Sequence, residues 1–311
     1  MIMVYTPEEF PRFTPLYASL ISIIYTISYV GVLYLSPLSR PDPSLNRDSP
    51  SVIRIRIRAV TVVTIAALAV TSIITALTTP RRALSEVLSF LGLLSPTPTS
   101  ILDVFRSLLL TAILFTGPLA QRLWFDVVDY GWGEVKSDLQ KMFYTWTGWR
   151  NFVARAGINR FLFGRQAPFT EEIVFRSCLA PLHLIAGKSP ISVVFLSPLY
   201  FGIAHIHHGY EFYLSHPNSL FLTIARSLIQ FAYTTLFGWF ATFILLRTGS
   251  AWAVIAVHSF CNHMGLPHLG MVDGPKWRSG VYFASLLGGA WGFYTLLWTL
   301  SESPNALASF S

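Results

Sequence analysis

Three short polar clusters interrupt otherwise apolar stretches of this chain, and they contain the side chains that could do chemistry. They occupy residues 171–176, 201–205 and 258–262. Ionisable groups at membrane depth are costly in free energy, so they usually face a cavity within the protein and serve function. Together the clusters supply a carboxylate, two histidines and an amide, which is enough to hydrolyse a peptide bond with water.

The first cluster contains two adjacent acids, Glu171 and Glu172, followed by Arg176. Two acids after Thr170 are also typical of a helix start, with Thr170 as the N-cap. However, Glu172 and Arg176 have the i,i+4 spacing of a helical ion pair, with the acid in the favourable N-terminal position. Glu171 points about 100° away on the same helix. Glu171 is therefore the candidate general base that activates water, and Glu172 and Arg176 are supporting residues.

The other two clusters supply His205, His258 and Asn262. His205 ends an apolar run, so it is expected to lie deeper than His207 and His208, which are assigned to the interface or to a supporting role. His258 and Asn262 share a helix face at i,i+4 and could donate two hydrogen bonds to a developing oxyanion. A structural polar pair between helices is the alternative for these two residues. His263 and His268 are interpreted as helix-end residues.

Composition places these clusters in a membrane protein. The chain has 311 residues, of which 53% are hydrophobic and only 12% charged, whereas a soluble protein carries roughly 25% charged residues. The net charge of +7 is dispersed in loops, so no nucleic-acid partner is expected. Cys178 and Cys261 both lie in apolar runs, which argues against a disulfide framework.

The hydropathy pattern predicts an all-α polytopic protein of about eight transmembrane helices in one domain, 1–311, around a cavity. A span needs about 20 mostly apolar residues. Five stretches meet this requirement clearly: 14–35, 59–77, 101–120, 220–246 and 281–300. Three shorter stretches, 171–187, 190–205 and 251–266, contain the clusters and are expected to fail a strict hydropathy threshold. The catalytic helices thus occupy about 171–266, and the first helix is interpreted as a retained span.

Loop charges predict the orientation. Arginines and lysines concentrate between the first and second spans and between the third and fourth spans, which places both loops in the cytoplasm and the N-terminus on the opposite, lumenal side. The three clusters then meet in the cytoplasmic half of the membrane. The long third loop also contains four tryptophans, which favours helices lying at the interface; they are Trp124, Trp132, Trp146 and Trp149.

Zinc catalysis is the main chemical alternative, because three histidines and a glutamate could bind the metal. The chain has no His-Glu-x-x-His helix, and asparagine is a poor zinc ligand, so no metal or other cofactor is expected. Serine catalysis has no Gly-x-Ser-x-Gly turn to support it.

The ordered clusters resemble the motifs of the type II CAAX prenyl endopeptidase family, the Ras-converting membrane proteases. Its pattern of Glu-Glu-x-x-x-Arg, Phe-x-x-x-His and His-x-x-x-Asn or Asp occurs here at 171–176, 201–205 and 258–262. The segments 31–35 and 46–48 look like the eukaryotic branch. The resemblance extends from about residue 20 to 300.

The resemblance implies that Glu171 activates the water with help from His205, and that His258 and Asn262 hold the oxyanion. It implies no catalytic metal. The expected substrates are prenylated CAAX-ending proteins such as small GTPases, which lose their last three residues. Membrane lipids are expected to surround the protein. The expected location is the endoplasmic reticulum membrane, with the active site facing the cytoplasm.

Two other classes remain as alternatives. A proton-coupled transporter could use a Glu/His relay, although the chain shows no internal repeat. A non-enzymatic scaffold of the same fold would not need all four reactive groups.

Overall fold

The computed structural model describes residues 13–42, 50–81, 83–94, 97–125, 127–129, 131–133 and 168–310. Most of these residues are helical, and none of them is in a strand. The helices are α1 Pro15–Gly31, α2 Pro50–Thr78, α3 Leu84–Phe90, α4 Pro98–Leu114, α5 Thr116–Ala120, α6 Pro168–Glu172, α7 Leu179–Ile185, α8 Pro190–Ala204, α9 His207–Ser215, α10 Leu220–Thr248, α11 Ala251–Met264 and α12 Lys276–Leu300. A π-helical segment, Ile173–Cys178, joins α6 to α7.

Five helices are long and apolar enough to cross a membrane, namely Pro15–Tyr34, Arg54–Thr78, Pro190–Ser215, Leu220–Thr248 and Lys276–Leu300. The prediction of a polytopic helical membrane protein is therefore confirmed. The count of eight spans is not, because the criterion is met by five helices in the described part of the chain.

Two individual helix predictions differ from the structure. The stretch 190–205 was expected to fail a strict hydropathy threshold, yet Pro190–Ser215 passes it, because the chain continues helically beyond His205 and supplies 26 residues. The stretch 101–120 was expected to be one clear span, but it is divided. Its helix ends at Leu114, Phe115 adopts a non-helical conformation (φ −94°, ψ 18°), and a short second helix follows.

The predicted interfacial helices of the third loop fall mostly on residues 134–167, which lie outside the described residues. Within the described part, Trp124 and Trp132 are exposed.

Helices α8 and α10 form the most extensive helix pair around the polar clusters. Glycines allow their backbones to approach, as is common between membrane helices. A Cβ on Gly202 would overlap the Thr235 hydroxyl, and a Cβ on Gly238 would overlap the Pro198 ring. This close contact fixes the end of α8, where the second cluster lies.

A tight turn between α10 and α11 positions the third cluster. Gly249 has a left-handed backbone (φ 58°), which favours glycine and ends α10. Ser250 then caps α11, its hydroxyl accepting a hydrogen bond from the Ala253 amide at 3.2 Å. Residue 258 consequently lies two turns into α11, facing the first cluster.

Candidate active site

The first cluster lies where α6 changes to a π-helical geometry. The helix begins at Pro168, so Thr170 lies within its first turn and is not the N-cap that the sequence suggested. Its hydroxyl instead pairs with the buried Tyr29 hydroxyl at 2.8 Å, which ties α6 to α1. Single π-helical turns often occur at functional sites. Here the segment follows directly after Glu171 and Glu172.

Glu172 is fully buried and connects two helices. Its Oε1 atom is 3.1 Å from Arg176 Nη1, as the i,i+4 spacing predicted. The same oxygen is 2.5 Å from His258 Nδ1 on α11. This second contact joins residues 86 positions apart, and no local pattern in the sequence indicates it. Glu172 therefore neutralises Arg176 and orients His258 at the same time.

Phe201 explains why the second cluster starts with an aromatic residue. The Arg176 guanidinium lies 4.0 Å over its ring, a cation–π contact in a fully buried setting. The same ring is 4.4 Å from the His205 ring and 6.2 Å from the His258 ring. One aromatic side chain thus packs against Arg176, His205 and His258.

The orientation of His205 is set by the backbone of its own helix. Its Nδ1 atom is 2.8 Å from the Phe201 carbonyl oxygen. A carbonyl only accepts, so Nδ1 carries the proton in the neutral ring and Nε2 keeps its lone pair. His205 is therefore arranged as a hydrogen-bond acceptor or base on the Nε2 side.

A central cavity of about 760 Å³ brings the four predicted catalytic residues together. Glu171, His205, His258 and Asn262 all line it. Glu172 and Arg176 do not line it; they lie behind the cavity wall. The rest of the wall is largely apolar and aromatic, and includes Leu114, Phe115, Leu236, Phe237, Phe240, Leu266 and Phe293.

Glu171 and His258 are neighbours within this cavity. Glu171 Oε2 lies 3.8 Å from His258 Nε2, the nitrogen that does not contact Glu172. His258 therefore lies between two carboxylates, with one on each ring nitrogen. The ring is held further by Phe237, whose centroid is 4.7 Å away; the sequence carried no signal for this residue.

Asn262 lies one turn beyond His258 on α11, and both residues line the cavity. The amide is more exposed than the histidine, as expected near the end of a helix that finishes at Met264. Cys261 also lines the cavity but forms no disulfide.

Among the other histidines of the described part, His208 lines the central cavity, with its ring 5.8 Å from the His205 ring, and the rest do not line it. His183 is buried against Ser22 at 3.2 Å and stacks on Tyr200. His207 and His208 lie with Glu211 in a group whose ligand atoms are within 4.8 Å of one another. His263 faces Arg122 at 3.4 Å, near the end of α11. Concentration of histidines along the chain thus did not by itself identify the site.

Comparisons with known proteins show the family of the chain. Residues 155–264 match the family model described as type II CAAX prenyl endopeptidase Rce1-like. The chain is 36% identical over 286 residues to a probable CAAX prenyl protease 2 of Schizosaccharomyces pombe, covering 92% of this chain and 94% of the relative. It is 30% identical over 320 residues to CAAX prenyl protease 2 of Saccharomyces cerevisiae, covering 91% and 97%.

The human CAAX prenyl protease 2 is 36% identical over 257 residues, covering 77% of this chain and 68% of the human protein. No solved structure matches the chain. The coverage of whole relatives, together with the match across all three clusters, leads to one conclusion: this chain belongs to the type II CAAX prenyl endopeptidase family.

Proposed function

We propose that this chain removes the last three residues of farnesylated or geranylgeranylated CAAX proteins by water attack within the central cavity. The observation that carries the proposal is that Glu171, His205, His258 and Asn262 line one cavity whose remaining wall is mostly apolar. Such a wall suits a prenyl chain, and the four polar groups suit hydrolysis of the peptide bond beside the prenylated cysteine.

Glu171 activates the attacking water in this proposal. It is the carboxylate that reaches the cavity, whereas Glu172 is committed to Arg176 and His258. His205 shares the proton transfer through Nε2, the nitrogen left with a lone pair by the Phe201 hydrogen bond. A glutamate and a neutral histidine on one water provide both an acceptor for the first proton and a carrier toward the leaving amine.

His258 and Asn262 stabilise the oxyanion. Because the Nδ1–H of His258 donates to Glu172, its Nε2 donates to the substrate only when the ring carries a second proton. Carboxylate oxygens of Glu172 and Glu171 lie beside the two ring nitrogens. The Asn262 side-chain amide supplies the second donor. A histidine donor and an amide donor, both fixed before the reaction, are an arrangement that stabilises a tetrahedral intermediate.

The protease is proposed to act in the endoplasmic reticulum membrane, with the cavity open to the cytoplasm and the N-terminus in the lumen. The loop charges support this orientation. Prenylated small GTPases are the proposed substrates, and lipids surround the exposed apolar helix faces. Residues 1–311 are proposed to form a single domain. Family membership argues against the transporter and scaffold alternatives.

Tripeptide release is the direct test of this proposal. Purified protein in detergent is expected to cleave a farnesylated CAAX peptide after the cysteine, and mass spectrometry would detect the free aaX tripeptide and the shortened peptide. The unprenylated peptide of the same sequence is expected to react far more slowly, because it lacks the group that binds the apolar wall. Equal cleavage of both peptides would contradict a role of the cavity in prenyl recognition.

Metal removal tests the zinc alternative. We expect dialysis against a strong chelator to leave tripeptide release unchanged, because a carboxylate and a histidine already account for water activation. Loss of activity that returns with about one equivalent of zinc would contradict the glutamate mechanism.

A metal at the His207, His208 and Glu211 group could produce a similar result. Repeating the titration with His207→Ala separates the two locations: zinc dependence that persists in this variant assigns the metal to the central cavity.

A further inference from the structure

A second cavity, which we call the arginine cavity, adjoins the central one. It measures about 560 Å³ and lies among the segment after α1, the start of α2, α9 and the first turns of α10. Four residues line both cavities: Arg56, His208, Gln230 and Tyr233. The two spaces therefore adjoin at these four residues.

Three arginines on the wall of this cavity contribute positive charge: Arg40, Arg56 and Arg226. The acidic residues on its wall are Asp42 and Glu211, so the lining carries one net positive charge when its histidines are neutral. The adjoining central cavity has, in contrast, a mostly apolar wall. The pair of cavities thus offers an apolar compartment and a cationic compartment side by side.

Arg56 stands at the junction and is held firmly. Its Nη1 atom is 3.3 Å from Glu211 Oε1, and its Nε donates to the Ser39 carbonyl at 2.8 Å. Glu211 is also bonded to His208 Nδ1 at 3.0 Å. These contacts fix the guanidinium while partly neutralising its charge.

Arg226 differs from Arg56 in its partners. Its guanidinium lies 4.3 Å over the Phe212 ring. Within the described part of the chain, it forms no ion pair with a carboxylate. The aromatic contact orients the side chain and leaves its hydrogen-bonding edge available for an anion, which makes Arg226 the cation best suited to bind one.

The proposed substrate ends in an anion, three residues beyond the scissile bond. The segment to be released is three residues long, and an extended tripeptide spans roughly 10 Å. It ends in a free α-carboxylate, which every substrate of this class has whatever its last side chain. Guanidinium groups recognise carboxylates with two parallel hydrogen bonds.

We propose that the arginine cavity binds the free C-terminal carboxylate of the substrate, with Arg226 as its main ligand and Arg56 marking the passage from the central cavity. This inference rests on the proposed function. It assigns to the arginine cavity the selection of a chain terminus over an internal peptide segment, while the central cavity binds the prenyl group and the scissile bond.

The test compares two farnesylated peptides that differ only at the C-terminus, one a free acid and the other an amide. We expect the parental protein to cleave the acid with a kcat/KM at least about tenfold higher, the size of one hydrogen bond to a charged group. Arg226→Gln is expected to raise KM for the acid peptide and to leave kcat/KM for the amide peptide unchanged. The ratio of kcat/KM for the acid to that for the amide should therefore fall close to one. Arg226→Lys should retain part of the preference.

Arg58→Gln is the matched control, since Arg58 is an exposed arginine on α2 that lines neither cavity. Its acid-to-amide ratio should equal the parental ratio. Equal cleavage of the two peptides by the parental protein, or an equal loss on both peptides in Arg226→Gln, would overturn the inference but not the proposed function. Cleavage of neither peptide would overturn the proposed function together with the inference.

The same proteins in vesicles of phosphatidylcholine, with and without phosphatidylserine, distinguish a lipid phosphate from the peptide carboxylate. A defect of Arg226→Gln that appears only with the anionic lipid, with an unchanged acid-to-amide ratio, would assign the cavity to a headgroup and overturn carboxylate binding.

Discussion

Glu171→Gln is expected to reduce tripeptide release by about 10²- to 10⁴-fold, the range typical for loss of a general base. The substitution keeps the shape of the side chain and removes the group that accepts the proton of the attacking water. Glu171 lines the central cavity at a distance of 3.8 Å from His258. Fixed-time assays with a farnesylated CAAX peptide, quenched and followed by mass-spectrometric detection of the tripeptide, would measure the loss of turnover.

The protein is expected to remain folded, because the buried Glu172–Arg176 pair is unchanged. Glu302→Gln, the same substitution at an exposed glutamate, is the control and should retain parental turnover. His205→Ala is expected to lose activity over a similar range, since it removes the second proton-transfer group. If purified and correctly folded Glu171→Gln kept near-parental turnover, another group would have to activate the water.

Local features of the site were predictable from the sequence. The spacing of Glu172 and Arg176 on one helix face correctly predicted their ion pair, because i,i+4 neighbours meet whatever the rest of the fold does. The long apolar runs likewise predicted four of the five helices that meet the spanning criterion. Composition and helical periodicity are local properties, and they determine these features directly.

Features that depend on how helices cross were not predictable in the same way. The contact of Glu172 with His258 joins residues 86 positions apart, whereas the local spacing pairs Glu172 with Arg176 alone. This contact also limits what His258 can do, since its Nδ1–H donates to Glu172 and only Nε2 is left for the cavity. The position of the arginine cavity beside the central cavity also depends on tertiary packing, because its arginines come from three separate segments.

The division at Phe115 and the π-helical segment Ile173–Cys178 were missed for a related reason. Both are departures from regular α-helix within apolar sequence, where hydropathy gives a continuous signal. Backbone geometry there is decided by packing against neighbouring helices, and one sequence contains no record of that packing.

Arg176→Met is expected to destabilise the protein by about 3–5 kcal/mol, the cost of leaving one charge of a buried pair without its partner. Arg176 and Glu172 are 1% and 0% exposed at their side chains, so water cannot take the place of the lost guanidinium. The substitution also removes the cation–π contact with Phe201. The variant should give a lower yield and a lower thermal transition temperature. Size-exclusion chromatography of heated samples would measure the transition.

The double variant Glu172→Gln with Arg176→Met distinguishes an electrostatic cause from a packing defect. It removes both charges, so it should recover much of the yield and thermal stability that Arg176→Met alone loses. It should not recover activity, because His258 then lacks the carboxylate that accepts its Nδ1 proton and orients its ring. Arg54→Met, the same change at an exposed arginine, should behave like the parental protein. Parental yield and thermal stability in Arg176→Met would show that the buried pair does not stabilise the fold, and an active double variant would show that Glu172 does not orient His258 for catalysis.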